Sequence, residues 1–335
     1  AFQKAARGKR GKVTVATFEY DLEQNLFALQ QELQTGSYHP GPYSNFYIHD
    51  PKRRLISAAP FRDRVVHHAL VNIMDPIWER RFIFDSYANR VGKGTHRALD
   101  RCTHFMRRFQ YVLPLDVRQF FPSIDHELLL ITLRRVLADK SAMSLAALIL
   151  KSGEGVFQEE YEMVFFPSDG PEAHQRPRGL PIGNMTSQFW ANVYLNELDH
   201  FIKRALGCRG YLRYVDDLLL FADDKATLHH WRAEVLDYLA SLRLTAHESR
   251  AQVRPTHTGV PFLGFQVFPD HRRLKRRNVV KAGRRLKALR RTYTTGEIEL
   301  PQVRASIHSW IAHVAHGDTW GLRRALLGRT IFSRA

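Results

Sequence analysis

Two adjacent carboxylates, Asp216 and Asp217, interrupt an otherwise apolar run that extends from residue 210 to residue 222. The apolar β-forming residues on both sides favour a buried hairpin, and an Asp-Asp pair fits its tight turn. Burying two charges side by side is costly unless a cation compensates them. The pattern therefore predicts either a cation-binding turn or a turn whose two aspartates face water.

A third carboxylate, Asp116, lies far upstream in a similar setting. The apolar run 112–115 predicts a buried strand that ends near Asp116, and residues 120–122 break this strand before a helix that Asp125 can cap. One acid after a strand and two on a distant hairpin indicate a two-Mg²⁺ site for phosphoryl transfer. Hard cations prefer oxygen ligands, and two ions roughly 3.5–4 Å apart can hold the attacking and leaving oxygens. We interpret Asp125 as a helix cap rather than a ligand.

The charge balance indicates a polyanionic partner. The 335 residues include 50 Lys and Arg against 33 Asp and Glu, which gives a formal net charge of +17 and a pI near 10.1. Nucleic acid is the simplest such partner. An anionic membrane is the competing one, but no apolar stretch approaches the roughly 20 residues needed to span a bilayer. The hydrophobic content of 44% is that of a globular domain.

Cysteine usage predicts a cytoplasmic location. Cys102 and Cys208 form neither a disulfide framework nor a Cys-rich metal pattern, which suits a reducing compartment. No signal peptide is visible. The chain begins at Ala1 without an initiator Met, an opening that fits a native N-terminus further upstream.

Periodic apolar residues predict the elements that position the acids. Helices are predicted over residues 18–33, 62–81, 128–150, 187–206 and 228–242. A hairpin with a basic tip is predicted across residues 47–56, and a strand over residues 260–267. The proline-containing insertion at about 153–178 is predicted to be an inserted hairpin and loop rather than a domain.

From about Arg53 to Gly264 the chain resembles a reverse transcriptase. Each motif is weak alone, but the set follows the order of that family: residues 54–64, the Asp116 segment, residues 179–188, the Asp216 segment and residues 262–265. The resemblance implies an α+β right-hand polymerase. Its fingers and palm, an antiparallel sheet plus helices, would occupy residues 13–268, and a basic helical thumb would occupy residues 269–335.

One motif is similar to a particular branch of this family. Most reverse transcriptases carry Gln-Gly-x-x-x-Ser-Pro where this chain has Ile182, Gly183, Ser187 and Gln188. This version resembles diversity-generating retroelements, which copy a template RNA with frequent errors opposite adenine and write the cDNA into a target gene. Replacing the Gln amide by Ile182 keeps shape but removes polar recognition, so we hypothesise low fidelity at template adenine. The alternative is that Ile182 only belongs to the core.

The resemblance also implies roles for the acids and their neighbours. Asp116 and Asp216 would bridge two Mg²⁺ ions, with Mn²⁺ as a substitute. The carbonyl of Val117 would be a further ligand, and Asp217 would be a more peripheral carboxylate. Gly183 would let the backbone approach the nascent base pair, where a Cβ would intrude.

Residues that select the nucleotide are implied in the same way. Phe121 resembles the family's steric gate against a 2′-hydroxyl, with a core aromatic as the alternative. Arg53, Arg54 and Arg62 lie where the fingers contact the triphosphate, since the planar guanidinium bonds phosphate oxygens bidentately. The sequence leaves open which of Lys52, Arg53 and Arg54 makes the contact.

Phe262, Leu263 and Gly264 resemble the primer grip, with the glycine allowing a sharp turn against the primer backbone. Relatives often carry a Lys shortly after the Asp-Asp motif that donates a proton to pyrophosphate. The matching stretch here, residues 244–250, lacks Lys. Either His247 or Arg250 takes over as proton donor, or this role is absent.

The last unit begins with a strongly basic stretch. Eleven of the twenty residues 272–291 are Lys or Arg, and none is acidic. Apolar residues at helical spacing put these charges on the other face of a helix, which we interpret as a thumb helix along a phosphate backbone; a solvated charged face is the alternative. The predicted backbone contacts are Lys275, Arg276, Arg277, Lys281, Arg284 and Arg285. Residues 1–12 are predicted to be a basic arm on RNA or a solvated tail.

The expected partners are template RNA, the RNA/DNA hybrid and dNTPs, without a membrane. The resemblance adds a small basic oligomeric accessory protein and a bacterial or phage-encoded origin. Within polymerases, the rivals are a retron, a group II intron-type or a phage-defence reverse transcriptase. A rival of another class is a non-catalytic RNA-binding scaffold with a polymerase fold, against which the intact trio of aspartates argues.

Overall fold

The structure is a computed structural model that describes residues 1–49, 53–167 and 169–334. Helices and short antiparallel strands alternate along the chain, which confirms the predicted α+β class. Both cysteines, Cys102 and Cys208, are buried as free thiols. None of the helices in the described ranges is long and apolar enough to cross a membrane.

The N-terminal segment packs against a long helix. Its helices are α1 (Phe2–Ala6), α2 (Val13–Tyr20), α3 (Leu22–Thr35) and α4 (Phe61–Glu79). The ring of Phe2 lies 5.9 Å from that of Phe18 and 6.1 Å from that of Phe61. The basic arm predicted over residues 1–12 is therefore folded in its first half, because an aromatic side chain anchors it in the core.

Two strands in front of α4 form the predicted hairpin. They are β1 (Ser44–Ile48) and β2 (Arg54–Ala58), paired antiparallel from Ser44 opposite Ala58 to Ile48 opposite Arg54. The tip of this hairpin, including Lys52, lies outside the described residues. β1 is exposed along its whole length, whereas Leu55 and Ser57 of β2 are buried.

A central sheet carries the acidic motifs. Its strands are β3 (Tyr111–Arg118), β4 (Gly210–Tyr214), β5 (Asp217–Ala222), β6 (Thr245–Ala246) and β7 (Arg254–Pro255). The order is β4-β5-β3-β6, and β7 pairs with β3. All pairings in this sheet are antiparallel. The hairpin and the strand predicted from apolar runs are thus confirmed, and the runs are apolar because the sheet is buried.

Helices cover this sheet and supply most of the core. They are α5 (Thr95–Arg108), α6 (Phe120–Ser123), α7 (His126–Arg134), α8 (Lys140–Ser152), α9 (Met185–Tyr194), α10 (Asn196–His200) with a π-helical continuation (Phe201–Ala205), and α11 (Lys225–Ser241). The carboxylate of Asp125 accepts a hydrogen bond from the amide of Leu128, so its predicted role as a cap is confirmed. The helix predicted over 187–206 is three consecutive segments, and α9 is buried nearly all round rather than amphipathic.

Ion pairs and an isolated antiparallel bridge between Arg178 and Asp125 hold the insertion. The described part of residues 153–178 contains no strand, so the predicted hairpin is wrong; prolines there cannot donate ladder hydrogen bonds. A short 3₁₀ helix (Pro171–Gln175) is its regular element. Arg176 pairs with Asp125 at 2.9 Å and with Asp169 at 2.6 Å, and Arg243 reaches the same Asp125 oxygen at 2.6 Å. These side chains fasten the segment to the start of α7.

A small sheet leads into three C-terminal helices. The elements are β8 (Val260–Phe262), β9 (Phe265–Val267), β10 (Arg272–Leu274), α12 (Arg276–Thr294), α13 (Leu300–Val314) and α14 (Trp320–Leu327). The single strand predicted over 260–267 is a hairpin, because Leu263 and Gly264 have φ of 43° and 90° and reverse the chain. The predicted basic helix is confirmed as α12.

Candidate active site

The backbones of the three predicted catalytic acids lie at one end of the central sheet. Asp116 on β3 lies directly opposite Asp217 on β5, and the amide of Val117 donates to the carbonyl of Asp216 at 3.2 Å. Directly opposed residues in antiparallel strands project from the same face with their Cβ atoms about 5 Å apart. All three acids are half-buried. The structure thus brings together residues that are far apart in sequence.

The turn that carries Asp216 has an unusual backbone. Tyr214 pairs with Asp217, so the loop consists of Val215 and Asp216 alone. Val215 has φ of 56°, a left-handed conformation that a β-branched residue rarely adopts. Such a residue costs of order 1–3 kcal/mol and persists only where its surroundings impose it. The acid is therefore presented by a strained turn.

Arg250 contacts the acidic cluster directly. Its Nη1 donates to Oδ2 of Asp116 at 2.8 Å, and the amide of His247 donates to the Asp116 carbonyl at 2.9 Å. Of the two residues considered in place of the missing Lys, the arginine therefore supplies a side chain to the site, and the histidine supplies at least its backbone. Arg250 is more than half exposed, so its contact with Asp116 can be broken at low cost.

The donor chemistry at this end of the sheet suits a divalent ion. Asp116, Asp216 and Asp217 offer carboxylate oxygens, which Mg²⁺ prefers. Within residues 1–49, 53–167 and 169–334, no three His, Cys, Asp or Glu side chains form a ready metal-ligand group. The backbone positions of the three acids suit a metal site. Arg250 donates a hydrogen bond to Oδ2 of Asp116, which is one of the oxygens that a metal ion would need.

The segment from Ile182 to Asn184 is bonded to the fingers strand. The amide of Ser57 on β2 donates to the Ile182 carbonyl at 2.9 Å, and the Asn184 amide group donates to the Ser57 carbonyl at 2.8 Å. Gly183 has φ of 115°, and a Cβ there would lie 3.0 Å from Ile56. Glycine is thus required by both conformation and space, and the Ile182 side chain is half-buried rather than wholly in the core.

Asn184 is a structural residue that the sequence analysis missed. It precedes α9 and has the type of a helix N-cap, which is the signal that would have singled it out. Its side chain does not cap the helix. Instead it accepts a hydrogen bond from the Ala59 amide at 3.0 Å and donates to the Pro181 carbonyl at 3.0 Å. It thereby fixes the 182–184 turn against the end of β2.

Phe121 lies on the short helix that follows β3. Its neighbour Phe120 is buried in the core, as predicted, while Phe121 is half-buried and meets it edge-to-face at 5.6 Å. The carbonyl of Phe121 accepts a hydrogen bond from the Leu180 amide at 2.9 Å. The position five residues after Asp116 is therefore tied to the Gly183 segment through the backbone.

The three fingers arginines have different surroundings. Arg53 stacks on the ring of Tyr47 at 4.0 Å and lies 3.5 Å from Glu160. Arg54 is exposed on β2. Arg62 pairs with Glu32 of α3 and lies 3.6 Å from Asp63. The guanidinium of Arg62 is paired with the carboxylate of Glu32 on α3. Unlike Arg53 and Arg54, Arg62 is therefore not placed as a phosphate ligand.

The predicted primer grip is the turn between β8 and β9. Phe262 is buried, and the Gly264 carbonyl accepts hydrogen bonds from the Lys275 amide at 3.1 Å and the Asn278 side chain at 2.9 Å. This turn is thus bonded to the first turn of α12. Leu263 lies at the tip of the turn and packs beside the cluster that contains Phe262.

The predicted backbone contacts on α12 separate into two environments. Lys275 is half-buried; burial lowers its pKa, Arg277 lowers it further, and the charge of Asp217 acts in the opposite direction. Lys275 is therefore close enough to the acids to interact with them. The remaining predicted contacts are exposed, whereas Ala282 and Leu286 of the same helix are buried. They are Arg276, Arg277, Lys281, Arg284 and Arg285.

Comparison with known proteins gives several relatives of low sequence identity. "Protein YkfC" of Escherichia coli is 26% identical in an alignment 302 positions long that covers 77% of this chain and 75% of YkfC. "Group II intron-encoded protein LtrA" of Lactococcus lactis subsp. cremoris is 26% identical over 183 residues, 54% of this chain but 28% of LtrA. A solved apo telomerase from Candida tropicalis has 8% identity and a TM-score of 0.48 over 76% of this chain and 54% of the telomerase chain.

A family description matches most of the region built above. The model for "Reverse transcriptase (RNA-dependent DNA polymerase)" covers residues 48–267, from the fingers hairpin to the end of β9. The match is well over half of the chain and includes all three acids. The chain belongs to the reverse transcriptase family, whose activity is RNA-directed DNA polymerisation, a nucleotidyl transfer.

Proposed function

We propose that this chain is the reverse transcriptase of a diversity-generating retroelement. It would copy a template RNA into cDNA with errors concentrated opposite adenine, for diversification of a target gene. The observation that carries this proposal is Ile182, a half-buried aliphatic residue in a turn bonded to the fingers strand. At this position most reverse transcriptases place a glutamine amide. The proposal locates the enzyme in the cytoplasm of a bacterium, with a small basic accessory protein as partner.

We infer that Asp116, Asp216 and Asp217 form the catalytic set, with the Val117 carbonyl beside them. The register that puts Asp116 opposite Asp217, next to Asp216, supports this assignment. Two bound divalent ions would lower the pKa of the primer 3′-hydroxyl and neutralise charge on the triphosphate and pyrophosphate. The residues of this chain hold the ligand oxygens in position, and Arg250 supplies a positive charge next to Asp116.

Nucleotide selection would depend on residues around this set. Phe121, half-buried beside the Asp116 strand, would meet the sugar and exclude a 2′-hydroxyl. Exposed Arg54 and stacked Arg53 would bind the triphosphate. Gly183 would leave room for the base pair, because a Cβ there already crowds Ile56.

Low fidelity follows from differential binding. A polar group that bonds a correct base pair rejects a pair that leaves it unsatisfied, whereas an aliphatic group discriminates by shape alone. With Ile182 in this position a mispair loses less binding energy relative to the correct pair. An error rate tenfold higher corresponds to about 1.4 kcal/mol of lost discrimination.

The test is to sequence cDNA made by primer extension with Mg²⁺ on a defined RNA containing all four bases. Wild type should misincorporate more at template adenine than at other bases, and Ile182→Gln should lower that rate by about tenfold. Ile77→Gln, a half-buried isoleucine on α4, is the matched control and should keep the wild-type spectrum. An error spectrum that is flat across template bases in wild type would refute the proposal.

A group II intron-type reverse transcriptase is the second candidate. It is supported by the similarity to LtrA, whose name describes an intron-encoded protein. Under this alternative, adenine errors would match those at other bases and Ile182→Gln would change nothing. The gene neighbourhood distinguishes the two as well, since a retroelement has a template repeat beside a variable target gene.

A further inference from the structure

We propose that Arg213 is a positioning residue for the catalytic turn, acting from inside the protein without contacting substrate. The inference rests on the proposed catalytic role of Asp216. Arg213 lies on β4, and its side chain is completely buried. Its Nη1 donates to the carbonyl of Val215 at 3.0 Å. This carbonyl belongs to the peptide group that joins Val215 to Asp216.

The guanidinium itself is held by the helices behind the sheet. Nε and Nη2 donate to the two carboxylate oxygens of Asp199 at 2.8 and 2.7 Å, a bidentate pair in which both residues are buried. Nη1 also donates to Oδ1 of Asn192 at 3.1 Å, and the hydroxyl of Tyr211 donates to Asp199 at 2.6 Å. The planar fork therefore has a fixed orientation when it reaches Val215.

The backbone of Arg213 is fixed from the other side. Its amide donates to the Asp85 carbonyl at 2.9 Å, and its carbonyl accepts from the Tyr87 amide at 3.0 Å. Asp85 in turn pairs with Arg101 at 2.8 Å and Lys203 at 3.2 Å. Neither the backbone nor the head group of Arg213 can shift without breaking several bonds.

This arrangement explains how the strained turn persists. The peptide plane is rigid, so a bond to the Val215 carbonyl fixes the plane that leads into Asp216. Val215 with φ of 56° would relax toward an extended conformation if that plane were free. A buried ion pair adds little stability compared with apolar residues of similar volume, but it can specify one conformation. We assign that role to Arg213 and Asp199.

The central test uses a charge-balanced double variant, R213M/D199L, which removes the bond to Val215 without leaving a buried unpaired charge. We expect it to fold, with kcat for dNTP incorporation reduced by about 100-fold, because misplacement by about 1 Å can cost that much. The half-saturating Mg²⁺ concentration should rise, while KM for dNTP and affinity for primer–template stay near wild type. If Arg213 only stabilised the fold, kcat and the Mg²⁺ requirement would not change while KM for dNTP and primer–template affinity stayed constant.

The matched control is R176M/D169L. The side chains of Arg176 and Asp169 are 9% and 1% exposed and pair at 2.6 Å, and Asp125 keeps Arg243 at 2.6 Å as its counter-charge in this variant. This pair lies in the insertion rather than in the segments that hold Arg213, so kcat and the Mg²⁺ requirement should not change. Equal losses in the two double variants would overturn the proposal, as would wild-type kinetics in R213M/D199L.

A second variant keeps the test decisive if R213M/D199L does not fold. Arg213→Lys retains the charge opposite Asp199 but lacks the fork that reaches Val215 as well, so it should also lower kcat and raise the Mg²⁺ requirement. Wild-type values in Arg213→Lys would overturn the proposal. Asp216→Asn is measured alongside: activity there would refute the proposed function, whereas an inactive Asp216→Asn with unaffected Arg213 variants would refute this inference alone.

Discussion

At the scale of single residues, the site combines acids with a cation that belongs to the protein. Asp116 is paired with Arg250. Lys275 lies near enough to Asp217 for the carboxylate charge to oppose the lowering of the lysine pKa by burial. Positive side chains therefore offset part of the negative charge of Asp116 and Asp217. Neither contact was predicted in that form, since both depend on how the chain folds around the sheet.

Replacing Arg250 should change the demand for metal. Its guanidinium and a divalent ion compete for the same Asp116 oxygen, so Arg250→Gln should lower the half-saturating Mg²⁺ concentration in primer extension. An exposed pair is worth at most about 1 kcal/mol, so the shift should not exceed about fivefold.

The control for this measurement is Arg135→Gln at the end of α7, which removes a comparable exposed pair with Glu197 at 2.7 Å. It should leave the Mg²⁺ titration unchanged. A higher Mg²⁺ requirement in Arg250→Gln would show that the arginine assists metal binding rather than competing with it.

At the scale of elements, helix α12 combines an apolar face with a nearly continuous basic one. Ala282 and Leu286 are buried, and the arginines on the other face are exposed. The helix starts after β10, and Lys275 and Asn278 at its beginning donate hydrogen bonds to the Gly264 carbonyl in the turn between β8 and β9. We propose that primer grip and thumb helix bind the nucleic acid backbone as one unit.

Neutralising part of this face should weaken binding in a salt-dependent way. For Arg284→Gln/Arg285→Gln we expect about tenfold lower affinity for an RNA/DNA hybrid. The slope of log K against log salt should fall by about 1–2, since each phosphate contact contributes about 0.7–0.9. Arg134→Gln/Arg135→Gln at the end of α7 is the control, and an equal change in both variants would contradict a specific role for α12.

Most elements around the acids could be predicted because local patterns and tertiary burial agree there. The runs around Asp116 and Asp216 are apolar since β3, β4 and β5 are buried on both faces, so their strands were evident. Apolar periodicity gave wrong predictions where ion pairs or backbone conformation determine the structure. The path of the insertion depends on the ion pairs of Arg176. The turn at Leu263 requires a positive φ, which is not typical of a leucine.

The arrangement of side chains was less predictable than the arrangement of strands. Convergence of Asp116 with Asp217 follows from ordered motifs, but the pairing of Arg62 with Glu32 depends on where the N-terminal helices pack. The buried pair of Arg213 and Asp199 gave no signal in sequence, because a charged residue in an apolar run reads equally well as exposed. Such contacts are set by the fold as a whole.

At the scale of the whole molecule, buried histidines link stability to pH. His67 and His68 lie on α4 between the N-terminal helices and the core. Burial lowers the pKa of both to about 4; His68 and Arg64 add to the effect at His67, and Lys9 and Lys4 at His68. An unfolded chain takes up these protons near pH 6.5, whereas the folded protein resists them.

Stability should therefore be full above pH 6.5 and decline as the pH falls toward 4. Between pH 7 and pH 5 we expect the Tm to drop by about 3 °C or more in a calorimetric scan. His68→Gln should reduce this decline, and His230→Gln, an exposed histidine on α11, should not. A Tm that is flat between pH 7 and pH 5 would contradict the argument.

The ion pairs that hold the insertion limit how its residues can be exchanged for those of a related polymerase. Asp125 sits wholly inside the protein, caps α7 and is neutralised by Arg176 from the insertion and Arg243 from the end of α11. Exchanging residues 153–178 for a loop without that arginine would remove one of the two counter-charges of an enclosed carboxylate and destabilise the fold. A chimera must therefore carry over Asp125 and Arg176 together. Substitutions in the insertion are for the same reason coupled to substitutions at the start of α7.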